Sequence, residues 1–237
     1  MKNRGDFIIY LLQGILLLTG VAYVFIAPFD QNTSLIIKPL FFVTLFSFYF
    51  ASTKKFKWKL FFALTCVMLG EYFATKGFVD YYNIVILFYT GFYFFATWLL
   101  LPVIRNIKVK KVFSDLTMIV LSAGGFVFVV FWVYHFTLSN LNQILLDIVA
   151  IGTFVLFISC IFYITQFNKQ PKSVYIFITA IGYMVVVLGY VIYEFAFKVN
   201  SILILVNFAE IVAQYCFIKF VISRKEIIIY SEKDRLL

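Results

Sequence analysis

The sequence predicts an all-α polytopic membrane protein of eight transmembrane helices, and three observations predict it. Of the 237 residues, 64% are hydrophobic, and the mean hydropathy is +1.00. A water-soluble domain of this size cannot hide so much apolar surface. Apolar runs of about 20 residues recur along the chain, the length that a hydrocarbon core about 30 Å thick requires. Lipid gives an open backbone no hydrogen-bond partner, so these runs must be helices, and the ten-residue alternation of a membrane barrel is absent.

Each span is justified in turn. The first, Phe7–Ile26, follows Lys2 and Arg4 and is too long for a signal-peptide core, so it reads as a retained signal anchor. The second, Ser34–Ser52, opens on Ile37-Lys38-Pro39-Leu40. The third, Leu60–Thr75, contains Leu69-Gly70-Glu71. In the fourth, Tyr81–Ile104, Tyr89, Tyr93 and Thr97 share one face at i, i+4 and i+8, as packing and polar glue between helices. The fifth, Val112–Phe136, holds Gly124-Gly125 and the single histidine, His135. The sixth is Ile144–Phe167. In the seventh, Val174–Phe197, Gly182 and Gly189 suit close helix packing. In the eighth, Ser201–Ile222, Asn207, Glu210 and Gln214 fall at i, i+3 and i+7, one polar stripe that must face the bundle interior. Residues 223–237 form a short tail, and 1–237 reads as a single domain with antiparallel sequential helices.

The loops orient the bundle. Lys2, Arg4, Lys54, Lys55, Lys57, Lys59, Arg105, Lys108, Lys110, Lys111, Lys169, Lys172, Arg224, Lys225, Lys233 and Arg235 all fall on one side. The opposite loops hold only Lys76 and Lys198. Positive-inside logic places both termini in the cytoplasm of a cell membrane. The formal charge of +9 is thus a topology signal and not a nucleic-acid footprint. Cys66, Cys160 and Cys216 lie within spans as packing residues, without disulfide or metal spacing, and no metal or cofactor is expected.

Three glutamates inside spans carry the functional argument. A carboxylate at helix centre costs about 2.5–3.5 kcal/mol on insertion scales, so intramembrane acids line a site, a pathway or a paired polar seam. On the predicted topology Lys38, Glu71, His135, Asp147 and Glu194 fall near the outer ends of their helices, Glu210 lies near mid-membrane, and Asp115 belongs to the inner end. These groups are placed to converge on a polar chamber in the outer half, although interfacial snorkelling is the expectation for Asp147 and His135. Lys38, beside a proline, is open to three readings: it binds a phosphate, neutralises a glutamate, or snorkels. Glu71-Tyr72-Phe73-Ala74-Thr75-Lys76 and Glu194-Phe195-Ala196-Phe197-Lys198 end the third helix of each four-helix half, which suggests a four-plus-four parallel repeat with Glu71 and Glu194 equivalent.

Lys38-Pro39-Leu40 in span two, Leu69-Gly70-Glu71 in span three and Ala213-Gln214-Tyr215 in span eight resemble the YhhN family of lysoplasmalogenases. That family has eight spans, a Lys-Pro-Leu motif, a Gly-Asp in the third helix, a Ser-Asp in the seventh and an Ala-Gln in the last. Order and spacing agree over nearly the whole chain. Glu71 stands where the family has Asp, Gly189-Tyr190 stands at the Ser-Asp, and the histidine of span four has no counterpart near Trp98.

The resemblance implies cleavage of the vinyl ether of a lysoplasmalogen, a membrane lysolipid, to a fatty aldehyde and a glycerophospho-base. Such hydrolysis begins with protonation of the enol carbon and needs a carboxylic acid, with a second, ionised carboxylate to activate water. On that reading Glu71 and Glu210 are the acid and base, in an order the sequence does not assign, and Glu194 replaces the missing Asp. Lys38 then holds the phosphate, Gln214 orients water or the ether oxygen, and Asn207 lines the substrate site. The competing class is a non-enzymatic lipid or small-molecule sensor, or a proton-coupled carrier. A carrier is expected to have unwound mid-membrane helices, whereas Pro39 and Pro102 lie near helix ends. Nucleotide loops, metalloprotease helices and serine elbows are absent. The sequence does not specify head group or oligomeric state.

Overall fold

The structure is a computed structural model that describes residues 2–107, 144–167 and 170–233. Seven α-helices occur among these residues: α1 (Lys2–Phe25), α2 (Gln31–Thr53), α3 (Trp58–Gly77), α4 (Tyr82–Ile104), α5 (Ile144–Phe167), α6 (Val174–Phe195) and α7 (Asn200–Lys233). A single 3-10 turn, Pro171–Ser173, precedes α6. The predicted fifth span, Val112–Phe136, lies outside the described residues with Asp115, Gly124, Gly125 and His135, as do Lys108, Lys110, Lys111 and Lys169. Helices α5, α6 and α7 therefore correspond to predicted spans six, seven and eight.

Six helices are long and apolar enough to cross a membrane: Asp6–Phe25, Gln31–Thr53, Tyr82–Ile104, Leu145–Phe167, Val174–Phe195 and Asn200–Arg224. Six of the eight expected spans are therefore shown among the described residues. Helix α3 has the length but carries Lys59, Glu71 and Lys76, which interrupt its apolar run. Leu17, Leu18, Ile36, Leu145 and Leu156 present more than half of their surface outward. Apolar exposure on this scale suits lipid and not water. The described residues are all-helical, and the protein is multi-pass.

Local chemistry sets the helix ends. Asp30 caps α2, accepting from the Asn32 N–H at 3.1 Å and from the Thr33 hydroxyl. At the other end Lys54 adopts a left-handed conformation (φ 50°) and its N–H returns to the Phe50 carbonyl at 2.7 Å. Helix α5 is continuous over Ile144–Phe167, the apolar run predicted as span six. Helix α7 continues to Lys233 and not to Ile222, because Ser223–Lys233 contains neither Gly nor Pro to stop it. Most of the predicted tail is therefore helix.

Helix α3 packs on α4, α4 on α5, α6 on α7, and α1 and α2 close against α7. The α6–α7 seam is tight because Gly182 and Gly189 face it. A Cβ on Gly182 would stand 2.7 Å from that of Ala213, and one on Gly189 would strike Val206. Small residues admit such backbone approach, as the sequence led us to expect. Away from that seam the core is aromatic. The rings of Phe92, Phe157, Tyr183 and Phe217 pack with centroids 5.2–6.3 Å apart, a dry layer joining α4, α5, α6 and α7.

One expectation needs correction, and another is not shown. Asp147 does not snorkel: it is 2% exposed and accepts a hydrogen bond from the Tyr82 hydroxyl at 2.8 Å. A partner one helix away in space makes burial cheaper than the sequence position suggests. Nor do these helices define the four-plus-four repeat. Glu71 is sealed in the interior, whereas Glu194 pairs with Lys198 at 3.9 Å near the end of α6.

Candidate functional site

Six helices each send a polar side chain to one buried point. Glu71 of α3 is its centre and has no exposed surface. The Lys38 ammonium of α2 lies 2.6 Å from Glu71 Oε2. Onto the same oxygen converge Tyr190 Oη of α6 at 2.9 Å and Tyr23 Oη of α1 at 2.9 Å. Tyr89 of α4 donates to Glu71 Oε1. Glu210 of α7 completes the group, its Oε2 standing 2.7 Å from Tyr23 Oη.

This geometry explains how a charge pair survives in an apolar bundle. Both ions of Lys38–Glu71 are stripped of water, a penalty of several kcal/mol per ion that direct attraction repays only when the remaining lone pairs are also satisfied. Three tyrosine hydroxyls and the ammonium supply that satisfaction. Lys38 also lies 5.1 Å above the Tyr23 ring and 3.5 Å from Tyr190 Oη. Of the three readings of Lys38, the contacts favour neutralisation of a glutamate over snorkelling, since only 5% of the residue is exposed.

Asn207 plays a supporting part. Helix α1 ends with the Ala27 N–H turning back to the Ala22 carbonyl, which leaves the Tyr23 carbonyl unclaimed. Asn207 Nδ2 donates to it at 3.1 Å, so α7 fixes the turn of α1 that aims the Tyr23 phenol. Without such a partner a buried carbonyl near a helix end would be costly.

Beside the cluster lies a cavity of about 420 Å³ at the end of the bundle formed by the α1–α2, α3–α4 and α6–α7 turns. Lys38, Asn207, Ser34 and Tyr190 line its inner part, and Lys76, Asp80, Glu194 and Lys198 its mouth. Neither Glu71 nor Glu210 lines it. Tyr190, its ring stacked on Phe78 with planes 10° apart, and Lys38 both line the cavity and both touch Glu71.

The structure thus unites four of the six residues singled out from sequence, Lys38, Glu71, Asn207 and Glu210. Glu194 stands on the cavity wall with Lys198, apart from the hydrogen-bonded group. Gln214 is fully buried one turn below Glu210, with neither amide atom hydrogen-bonded among the described residues. Tyr23 and Tyr190 were missed as site residues. In a chain with 16 tyrosines, one more in a span is no signal. Tyr190 nevertheless occupies the position where the family resemblance calls for an acid. Among the described residues no group of three His, Cys, Asp or Glu gathers to hold a metal ion.

Fold and site together define a multi-pass helical membrane protein with a tyrosine-bridged carboxyl pair and a buried lysine. Comparison with protein-family models, with curated proteins and with solved structures gives no match.

Proposed function

We propose that this protein is a YhhN-like membrane hydrolase that cleaves the vinyl ether bond of lysoplasmalogen-type lysolipids. The observation that carries the reading is the Glu71–Tyr23–Glu210 arrangement beside Lys38, at the inner end of a cavity wide enough for a lipid head group. Vinyl ether hydrolysis needs one carboxyl group to protonate the enol carbon and one carboxylate to take a proton from water. Water then adds to the oxocarbenium carbon, and the hemiacetal collapses to a fatty aldehyde and a glycerophospho-alcohol. A carboxyl pair coupled through one phenol suits both proton movements. Lys38, with two of its three ammonium donors directed at Glu71 and Tyr190, keeps one for a phosphate oxygen in the cavity. Glu194 belongs to the cavity wall in this scheme, and access to Glu71 requires the Tyr190 ring to swing aside.

The proposal includes the topology: eight spans, with α3 and Val112–Phe136 as the third and fifth, both termini cytoplasmic and the cavity facing outward. One observation favours a second reading, a lipid-binding or proton-sensing module without catalysis. Glu71 and Glu210 are 0% and 1% exposed, closer to a sealed sensor than to an open active site. A carrier is less well supported, because Pro39 and Pro102 lie near the ends of continuous helices and not at a mid-membrane break.

The test is fatty-aldehyde release from a lysoplasmalogen by detergent-purified protein, with Glu71→Gln and Glu210→Gln alongside. Aldehyde from the wild type, lost in both variants, is the expected result. Lipid bound but left intact by the folded wild type would move the protein to the sensing class.

A further inference from the structure

We infer that Tyr23 is a proton-relay residue, and that the cluster stores one transferable proton on Glu210 which the Tyr23 hydroxyl can hand to Glu71. The argument is a count of protons. Tyr23 Oη is within hydrogen-bond distance of two carboxyl oxygens, Glu71 Oε2 at 2.9 Å and Glu210 Oε2 at 2.7 Å. A phenol has one proton to donate. Ionised carboxylates only accept, so both contacts can be hydrogen bonds only if one carboxyl group is itself protonated and donates to Oη.

Which carboxyl carries that proton follows from the other neighbours. Glu71 faces the Lys38 ammonium, Tyr190 and Tyr89, all of them donors. A protonated Glu71 would forfeit the attraction of Lys38 and one of its acceptor sites. Among the described residues Glu210 has no cation in contact, and its second oxygen, Oε1, is buried without a hydrogen-bond partner. Glu210 is therefore the neutral acid and donates to Tyr23, while Tyr23 donates to the Glu71 carboxylate. Transfer is a paired shift. The Glu210 Oε2–H bond breaks as a bond to Tyr23 Oη forms, and the original Tyr23 O–H bond breaks as one to Glu71 Oε2 forms. Tyrosine is neutral before and after, so no phenolate has to exist in the apolar core.

Asn207 and Lys38 make the relay rigid, one through the Tyr23 carbonyl and the other over its ring. The inference stands whether or not a lipid is hydrolysed. If it is, Glu71 receives its proton from Glu210 through Tyr23, and Glu210 is left as the carboxylate.

The experiment is infrared spectroscopy of the detergent-purified full chain near neutral pH, before and after exchange into D2O. A carbonyl band of a neutral carboxyl group is expected in the wild type and missing from Glu210→Gln. Its persistence in Glu210→Gln, or its absence from the wild type, overturns the proton assignment. In Tyr23→Phe the deuterium shift of that band is expected to slow by about tenfold or more, in line with what a positioned proton-transfer group contributes. A variant that merely loosened the packing would exchange faster. Exchange at or above the wild-type rate therefore overturns the relay. Should Tyr23→Phe fail to fold, the exchange of the Glu210 band in Tyr89→Phe decides: Tyr89 touches Glu71 but not Glu210, so exchange at the wild-type rate is expected, and exchange slowed about tenfold would run the path through Tyr89 and overturn the relay.

Discussion

Lys38 Nζ stands 2.6 Å from Glu71 Oε2, and the two side chains are 6% and 0% exposed. Such a pair is held by geometry more than by attraction, because each ion alone is far costlier than both together. Replacing Lys38 by Met should therefore destabilise the protein by about 3–5 kcal/mol. The double variant Lys38→Met/Glu71→Gln, which leaves no unpaired ion, should recover much of that loss. Thermal unfolding in one detergent measures both. A single variant as stable as wild type would contradict the buried pair.

Glu71 and Glu210 should respond differently to the same substitution. An amide at position 210 can donate to Tyr23 as a neutral carboxyl does, so Glu210→Gln should cost no more than about 1 kcal/mol. Glu71→Gln strands Lys38 and should cost about 3–5 kcal/mol. Equal losses would argue against the unequal roles drawn from their neighbours.

The α6–α7 seam has no room for side chains. Gly189→Val, driven against Val206, should lower stability by about 1–3 kcal/mol through overpacking. Gly152, where a Cβ would meet nothing within 4 Å among the described residues, provides the control: Gly152→Ala should unfold no earlier than wild type.

Asp30, outside the spans, gives a pH dependence of known sign. The Thr33 hydroxyl, with the N–H groups of Asn32 and Thr33, holds its carboxyl below the ordinary carboxylate range, against a smaller opposing effect of burial. A folded-state value below the unfolded one stabilises the fold above the unfolded value, and that stability is lost as pH falls through the folded one. Asp30→Ala should therefore melt below wild type near neutral pH, and the two curves should converge in acid. A difference that grows in acid would have the wrong sign.

The proposed orientation is open to direct labelling. In a background without Cys66, Cys160 and Cys216, a cysteine at Asp80 should react with an impermeant reagent from outside intact cells. One at Lys55 should react only after lysis. The reverse pattern would invert the topology.

How much of this was legible beforehand depends on the range of the interaction involved. The existence of the helices follows from runs of apolar residues, and the tight α6–α7 seam follows from Gly182 and Gly189. Lys38, Glu71, Asn207 and Glu210 stood out because polar groups in apolar helices are expensive and therefore few. Asp147 was misjudged, because its partner Tyr82 lies on another helix and a lone sequence position cannot show who will satisfy it. Tyr23 and Tyr190 could not be selected, since their rings are as apolar as the rest of the span and only the hydroxyls matter.

The sequence by itself determined that the chain is a bundle of membrane-spanning helices and that a handful of polar residues must be hidden inside it. Both are consequences of a solvent that offers no hydrogen bonds. Tertiary structure alone decided which of those residues meet. It put Lys38 and not Glu194 beside Glu71, set a phenol from α1 between two carboxyls from α3 and α7, and closed the cluster behind Tyr190. Hydrogen bonds act over about 3 Å and depend on direction, so pairing among side chains up to 187 residues apart in the chain is fixed only when the helices have packed.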